Sequence, residues 1–205
     1  MNHSERRKKG LIYNPTEFYL EQCKLRDKLS EYNRIPCIEV EKRMAMLKEL
    51  FAEVGHRCLI ESPVYSSWGC KNIHLGNGVY CNQGVTFLDD NDIFIGDGVL
   101  IGPNTVISTA GHTISTKYRD APKGIVHNFA LPVTIGNNVW IGANVTILPG
   151  VTVGDNSVIG AGSVVSKDIP ANSVVRGNPC RVVREISERD DEYYYKNHTI
   201  DIDAE

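Results

Sequence analysis

IGNNVW, IGANVT, ILPGVT, VGDNSV, IGAGSV and VSKDIP run without a break from Ile135 to Pro170, one six-residue phrase written six times. Each hexad opens on Ile or Val. The second residue is Gly in four of the six, and the fifth position holds Val139, Val145, Val151, Ser157, Ser163 and Ile169. A helix would space its apolar residues by three and four, and a plain strand would alternate by two. A fixed short period marks a stacked β-coil instead. A β-branched first residue suits a short strand and points inward. Gly beside it permits a turn that other residues reach only with strain, and Asn or Asp in the third and fourth places tolerates left-handed backbone. Each hexad therefore predicts one strand and one corner. Three of them close a triangular coil of about 18 residues, whose apolar interior the next coil covers.

Upstream the phrase returns as LGNGVY (Leu75 to Tyr80), CNQGVT, FLDD, IGDGVL (Ile95 to Leu100), IGPNTV and ISTA. About twelve hexads predict about four coils. Around them the chain divides into three parts. Residues 1–57 form an N-terminal helical segment: Phe18, Leu20, Cys23, Leu25 and Leu29 fall on one helical spacing, and Val40, Met44, Leu47, Leu50 and Phe51 on another, with Asn33 and Pro36 at the break. Residues 58–176 form the coil, interrupted by a long loop at 111–132, GHTISTKYRDAPKGIVHNFALP. A loop of that length inside a compact domain points to function. Residues 177–205 form a C-terminal cap and tail, with a short helix or extended piece expected over Arg181 to Ile186.

Composition narrows the function classes. The 205 residues carry a net charge of -3 with 23% charged side chains, which leaves no basic footprint for nucleic acid. No apolar run reaches the length of a membrane span. MNHSERRKKG lacks the apolar core of a secretory signal, so a cytoplasmic location is expected. The six cysteines show no CxxC spacing and are read as free thiols in a reducing compartment.

Several segments together carry a family resemblance: VEKRMAMLKELFAEVG (Val40 to Gly55), PVYSSWGCKNIHLGNGVYCN, LDD (Leu88 to Asp90), TAGH (Thr109 to His112), PVTIGNNVWIG and GNPCRVVREI. With the hexads, over about residues 10–190, they resemble the hexapeptide-repeat sugar O-acetyltransferases of the galactoside and maltose group. The resemblance implies a mainly β fold, a left-handed parallel β-helix with an N-terminal helical segment and a C-terminal cap. It also implies transfer of an acetyl group from acetyl-CoA to a sugar hydroxyl without a metal. A homotrimer with active sites between subunits is implied as well.

Acetyl transfer to a hydroxyl needs a proton acceptor, donors for the tetrahedral oxyanion, and a hold on coenzyme A. A neutral imidazole, with an ordinary pKa near ~6.5, meets the first need. The resemblance assigns it to His112 in TAGH, which by itself is one of six histidines. It also matches Asn82 to a residue that contacts the acceptor and supports the transition state. Asp90 and Ser67 match sugar contacts, although GCKN is one residue longer than the family pattern after Ser67. Asn82 and Asp89 could equally turn corners, and Trp68 and Tyr80 could be sugar platforms or core. On the coenzyme side, Ala143 and Ala161 are small residues along the coils, and Ser166, Lys167, Arg181 and Arg184 match coenzyme positions. Arg binds phosphate oxygens bidentately and Lys acts as a point charge. Where the family carries a sugar-binding Asp near the N-terminus, this chain has Asn14 or Pro15. That departure bears on acceptor specificity.

Cys70 and Cys81 lack surroundings that would activate a thiol, so direct transfer within a ternary complex is expected. Three alternatives stand beside this reading: a non-sugar acceptor such as serine or an antibiotic, a structural or ice-binding β-helix, and a zinc-dependent carbonic anhydrase drawing on His74, His112 and His127.

Overall fold

The computed structural model of the chain describes residues 1–201. Three parallel sheets form the faces of a prism. The first face stacks Glu53–Val54, Ile73–Leu75, Ile93–Ile95, Val133–Ile135 and Thr152–Val153. The second stacks Leu59–Ile60, Tyr80–Cys81, Leu100–Ile101, Trp140–Ile141, Val158–Ile159 and Ser173–Arg176. The third stacks Tyr65–Ser66, Thr86–Leu88, Val106–Ser108, Thr146–Ile147 and Val164–Val165. The prism thus has five coils and the start of a sixth, against the about four expected from the hexads. The added coil is the first. In VGHRCL and IESPVY the inward residues Cys58, Ile60 and Val64 are buried as in any other hexad. Arg57 and Pro63 hide the phrase, because they stand where most other hexads carry Asn or Gly.

The first and fifth positions of the hexads fill the interior. Ile95, Ile135 and Val153 share one ladder, and Ile101, Ile141 and Ile159 share another. Each is at least nearly fully buried, and each contributes about 1.5–3 kcal/mol of apolar burial. The strain-tolerant position of the hexad is the fourth: Asn138 and Asn144 have φ of 54° and 56°. The second-position Gly is required for a different reason from the turn expected of it. A Cβ on Gly142 would lie 2.7 Å from the Ala161 backbone nitrogen, so the next coil packs directly on the glycine.

In the N-terminal segment, α1 is His3–Lys8, opened by a capping box between Asn2 and Glu5. A 3-10 turn at Pro15–Phe18 leads into α2, Tyr19–Asn33, and α3 follows at Val40–Leu50. Of these helices, α2 and α3 pack on the first coil, and α1 packs on the strand Asn128–Ala130. The buried Arg43 ties α3 down, donating to Tyr32 Oη at 2.8 Å and to the Ile60 carbonyl at 2.6 Å.

The 111–132 interruption contains regular structure. Ala110–His112 pairs antiparallel with Asn128–Ala130, and Arg119–Asp120 with Ile125–Val126. At the other end Arg181–Glu185 is a strand folded back on Ser173–Arg176. A short helix α4, Arg189–Glu192, and a hairpin of Tyr193–Tyr195 with His198–Thr199 follow. The expectations for the tail at 202–205 lie outside the described residues.

Candidate active site

The candidate residues gather at two edges of the prism. One is the corner between the third and first faces. There the chain turns through Asp89, Asp90 and Asn91, all buried. Asp89 Oδ1 accepts from the Trp68 backbone N–H at 2.9 Å and from Ser66 Oγ at 2.5 Å, and its burial pushes the carboxyl pKa up. Asp89 therefore builds the turn. Asp90 faces the N-terminal segment: its Oδ1 accepts from the Tyr13 hydroxyl at 2.8 Å and its Oδ2 from Ser67 Oγ at 3.0 Å. Tyr13 bridges Asn128 with backbone bonds of 2.9 and 3.0 Å, and Asn128 lies opposite His112 in the next pair. Tyr13 and His112 therefore sit two strand spacings apart, about 10 Å. The His112 side chain is exposed and its ring makes no hydrogen bond among the described residues.

The other edge lies where the second face turns into the third. A groove of about 500 Å³ runs along it, lined by Tyr80, Asn82, Leu100, Trp140, Ala143 and Ala161 among others. Ile101 to Pro103, Gly142 and Gly160 complete its floor. The Asn82 side-chain oxygen Oδ1 accepts from the Gln83 backbone N–H at 2.8 Å. Its side-chain amide N–H groups bond nothing among the described residues and remain available as donors. Trp140 is 56% exposed above the groove. At the far end, on the strand beside the second face, Arg181 and Arg184 are exposed. Asp190 grips Arg184 with two contacts of 2.6 Å. Ser166 and Lys167, also exposed, stand on the other edge, after the third-face strand of the fifth coil.

Residues 6–55 match the family described as the maltose acetyltransferase hexapeptide capping motif, and residues 132–167 match the bacterial transferase hexapeptide with six repeats. The galactoside O-acetyltransferase of Escherichia coli K12 is 47% identical over 98% of this chain and 98% of the relative. That of Lactococcus lactis is 43% identical over 93% and 90%. The chain belongs to the hexapeptide-repeat sugar O-acetyltransferases. A solved galactoside acetyltransferase in complex with coenzyme A superposes with a TM-score of 0.92 at 44% identity, covering 98% of this chain and 100% of that one. A maltose O-acetyltransferase from Clostridium difficile 630 gives 0.86 at 40% identity, covering 91% and 98%.

Within this acetyltransferase, Ser67, Asp90 and His112 share one edge, whereas Asn82, Ala143 and Ala161 share the other, with the third face between them. Arg181 and Arg184 lie outside the lining of the groove, on the strand paired with Ser173–Arg176, and Ser166 and Lys167 lie on the other edge of the same chain. Arg7 joins the corner without any sequence signal: its guanidinium lies 4.1 Å over the Trp68 ring and donates to the Asp90 carbonyl. Arg7 is separated from Asp90 by 83 positions, and no local pattern marks it. Asn14, at the position of the family departure, caps the 3-10 turn by accepting from the Thr16 N–H at 3.1 Å. Cys70 and Cys81 are buried, and burial pushes both thiols up, away from the reactive thiolate. Among the described residues no group of three or more His, Cys, Asp or Glu is placed to hold a metal. His74 is stacked on Phe94 at 4.7 Å and His127 is directed to the Tyr118 carbonyl at 3.3 Å. No helix among them is long and apolar enough to cross a membrane.

Proposed function

We propose that this acetyltransferase moves an acetyl group from acetyl-CoA directly to a hydroxyl of a galactoside-, glucoside- or maltose-like sugar, in a ternary complex at the boundary between two subunits of a homotrimer. The observation that carries this is the split of the site. A free imidazole beside a bonded carboxylate stands on one edge, and a groove with a free amide donor on the other. Neither edge alone has what acyl transfer needs. A three-faced prism packed around a threefold axis brings the first edge of one copy to the second edge of its neighbour.

In that arrangement Asp90 and Ser67 hold the sugar, and His112 accepts the proton of the reacting hydroxyl. The sugar oxygen attacks the thioester carbon, the C–S bond breaks as the tetrahedral intermediate collapses, and CoA leaves as its thiolate or thiol. The Asn82 amide donates to the oxyanion without changing protonation. The pantetheine arm lies along Ala143 and Ala161, and Arg181, Arg184, Ser166 and Lys167 are assigned to the phosphates and the adenosine end. Lys167 and Ser166 then serve a coenzyme held partly by the neighbouring copy. Holding both substrates together supplies much of the rate.

Release of free CoA, measured with acetyl-CoA and a panel of galactosides, glucosides, maltose, serine and chloramphenicol, tests the acceptor. Acetylation of the sugars is expected; transfer to serine or chloramphenicol alone overturns the sugar assignment. Mixing His112→Ala with Asn82→Ala chains, then unfolding and refolding them together, tests the boundary. Mixed trimers should recover activity that neither variant shows. A fully active monomer in sedimentation overturns the shared site.

A further inference from the structure

The corner at Asp90 is roofed by the N-terminal segment, and its bonding is uneven. Both Asp90 oxygens already have a partner, Tyr13 Oη on Oδ1 and Ser67 Oγ on Oδ2. Ser67 Oγ also lies 3.2 Å from Asp89 Oδ1, and its single proton serves one carboxylate at a time. Arg7 stacks on Trp68, Trp68 meets Phe18 at 5.3 Å between ring centroids, and Phe18 meets Tyr13 at 6.2 Å. Arg7, Tyr13 and Trp68 are all buried. Within this ring of residues lie three buried side-chain atoms without a hydrogen-bond partner among the described residues: Arg7 Nε, Trp68 Nε1 and Asn128 Oδ1. No other such atom is found among the described residues, so the orphans concentrate at this one corner. Unpartnered buried polar groups are costly, and a cluster of them calls for an explanation. Two donors and one acceptor are what hydroxyl groups complement, since each hydroxyl both donates and accepts.

We propose that Tyr13 and Arg7 are specificity-determining positioning residues, which fix Asp90 so that it receives two adjacent hydroxyls of an uncharged sugar. This rests on the sugar-acetylation assignment above. An ionised carboxylate has about four acceptor positions. With one taken on each oxygen and the plane set by Tyr13, one remains on each, side by side. Burial and the neighbouring Asp90 push the Tyr13 phenol up, so it stays a donor. Arg7 is the buried cation of the roof and lies against Asp90, with Glu21 and Asp92 acting on it as well. Lys8 is paired with Asp92 at 2.6 Å. Among the described residues no second buried cation lies at this corner to pair with a phosphate or carboxylate on the acceptor.

Tyr13→Phe keeps the ring and removes the bond to Asp90. With the full-length enzyme, the KM for the acceptor should rise about tenfold, while kcat and the KM for acetyl-CoA stay within twofold. The preference for a galactoside over its monodeoxy analogues should shrink by a similar factor, which a merely structural role for Tyr13 would not produce. Wild type should acetylate neutral sugars at least tenfold better, by kcat/KM, than their 6-phosphates. Arg7→Met, which keeps an apolar stem over Trp68, should move the acceptor KM the same way and provides a second route if Tyr13→Phe folds poorly. An unchanged acceptor KM in both variants, equal rises in both KM values, or a preference for phosphorylated sugars overturns the proposal. If wild type acetylates no sugar, the sugar assignment itself fails and this inference with it. If wild type is active and only the variants behave otherwise, the failure belongs to Tyr13 and Arg7 alone.

Discussion

The groove beside Trp140 and the corner at Asp90 are built by opposite means. The groove is made by repetition. Gly102, Gly142 and Gly160 are the same hexad position in successive coils, and the groove is lined mainly by small or apolar residues. It suits an extended arm that needs space and backbone contacts more than individual recognition. The corner is made by exceptions: a helix-borne Arg7, Tyr13 ahead of a 3-10 turn, the Asp89–Asp90 turn, and His112 on a strand that leaves the prism. Its contacts are few, directional and buried. A repeat provides a surface, and chemistry and discrimination arise where the repeat is interrupted.

That contrast predicts that corner variants lose chemistry and keep stability, while rung variants do the reverse. The largest effect is expected for His112→Ala. Its turnover should fall by about 10² to 10⁴, the usual worth of a general base, with little change in acetyl-CoA binding. Steady-state rates within threefold of wild type would remove His112 from the mechanism. Ile141→Ala empties one fully buried rung and should cost about 2–5 kcal/mol of stability. Per subunit, kcat at low temperature should be close to normal. Denaturant melts with an unchanged midpoint would contradict the account of the interior.

Arg181→Ala sits between the two extremes. Losing one charged contact of about 1.5–3 kcal/mol should raise the acetyl-CoA KM at least tenfold and leave the acceptor KM alone. Equal effects on both would indicate a damaged cap instead. The smallest effect is expected at Asp190. Arg184 holds its pKa down at about 2, against an ordinary 3.8. A depressed carboxylate contributes stability that is complete above its unfolded value and is lost as pH falls toward the folded one, here between about 4 and 2. At neutral pH the pair is intact and open to solvent on its outer side, so Asp190→Asn should alter stability little. It should free Arg184 and lower the acetyl-CoA KM by less than threefold. A raised KM would mean that Asp190 orients Arg184 for the coenzyme.

The hexads alone made the prism legible, because strand, corner and interior are set within six residues by β-branching and by backbone tolerance at the fourth position. The first coil escaped because Arg57 takes the left-handed conformation, φ 55°, that its neighbours give to Asn or Gly. The role of the second-position Gly escaped because the atom that excludes a Cβ belongs to the next coil, about 18 residues on. For the site, Ser67, Asp90 and His112 were legible only as family positions, and their assembly around Tyr13 and Arg7 was not. Those contacts join residues 77 and 83 positions apart, across segments that share no period. What the sequence by itself determined is therefore everything encoded within one turn of the coil. What tertiary structure alone decided is which interruptions meet, since that depends on where the coil and the N-terminal helices deliver them in space.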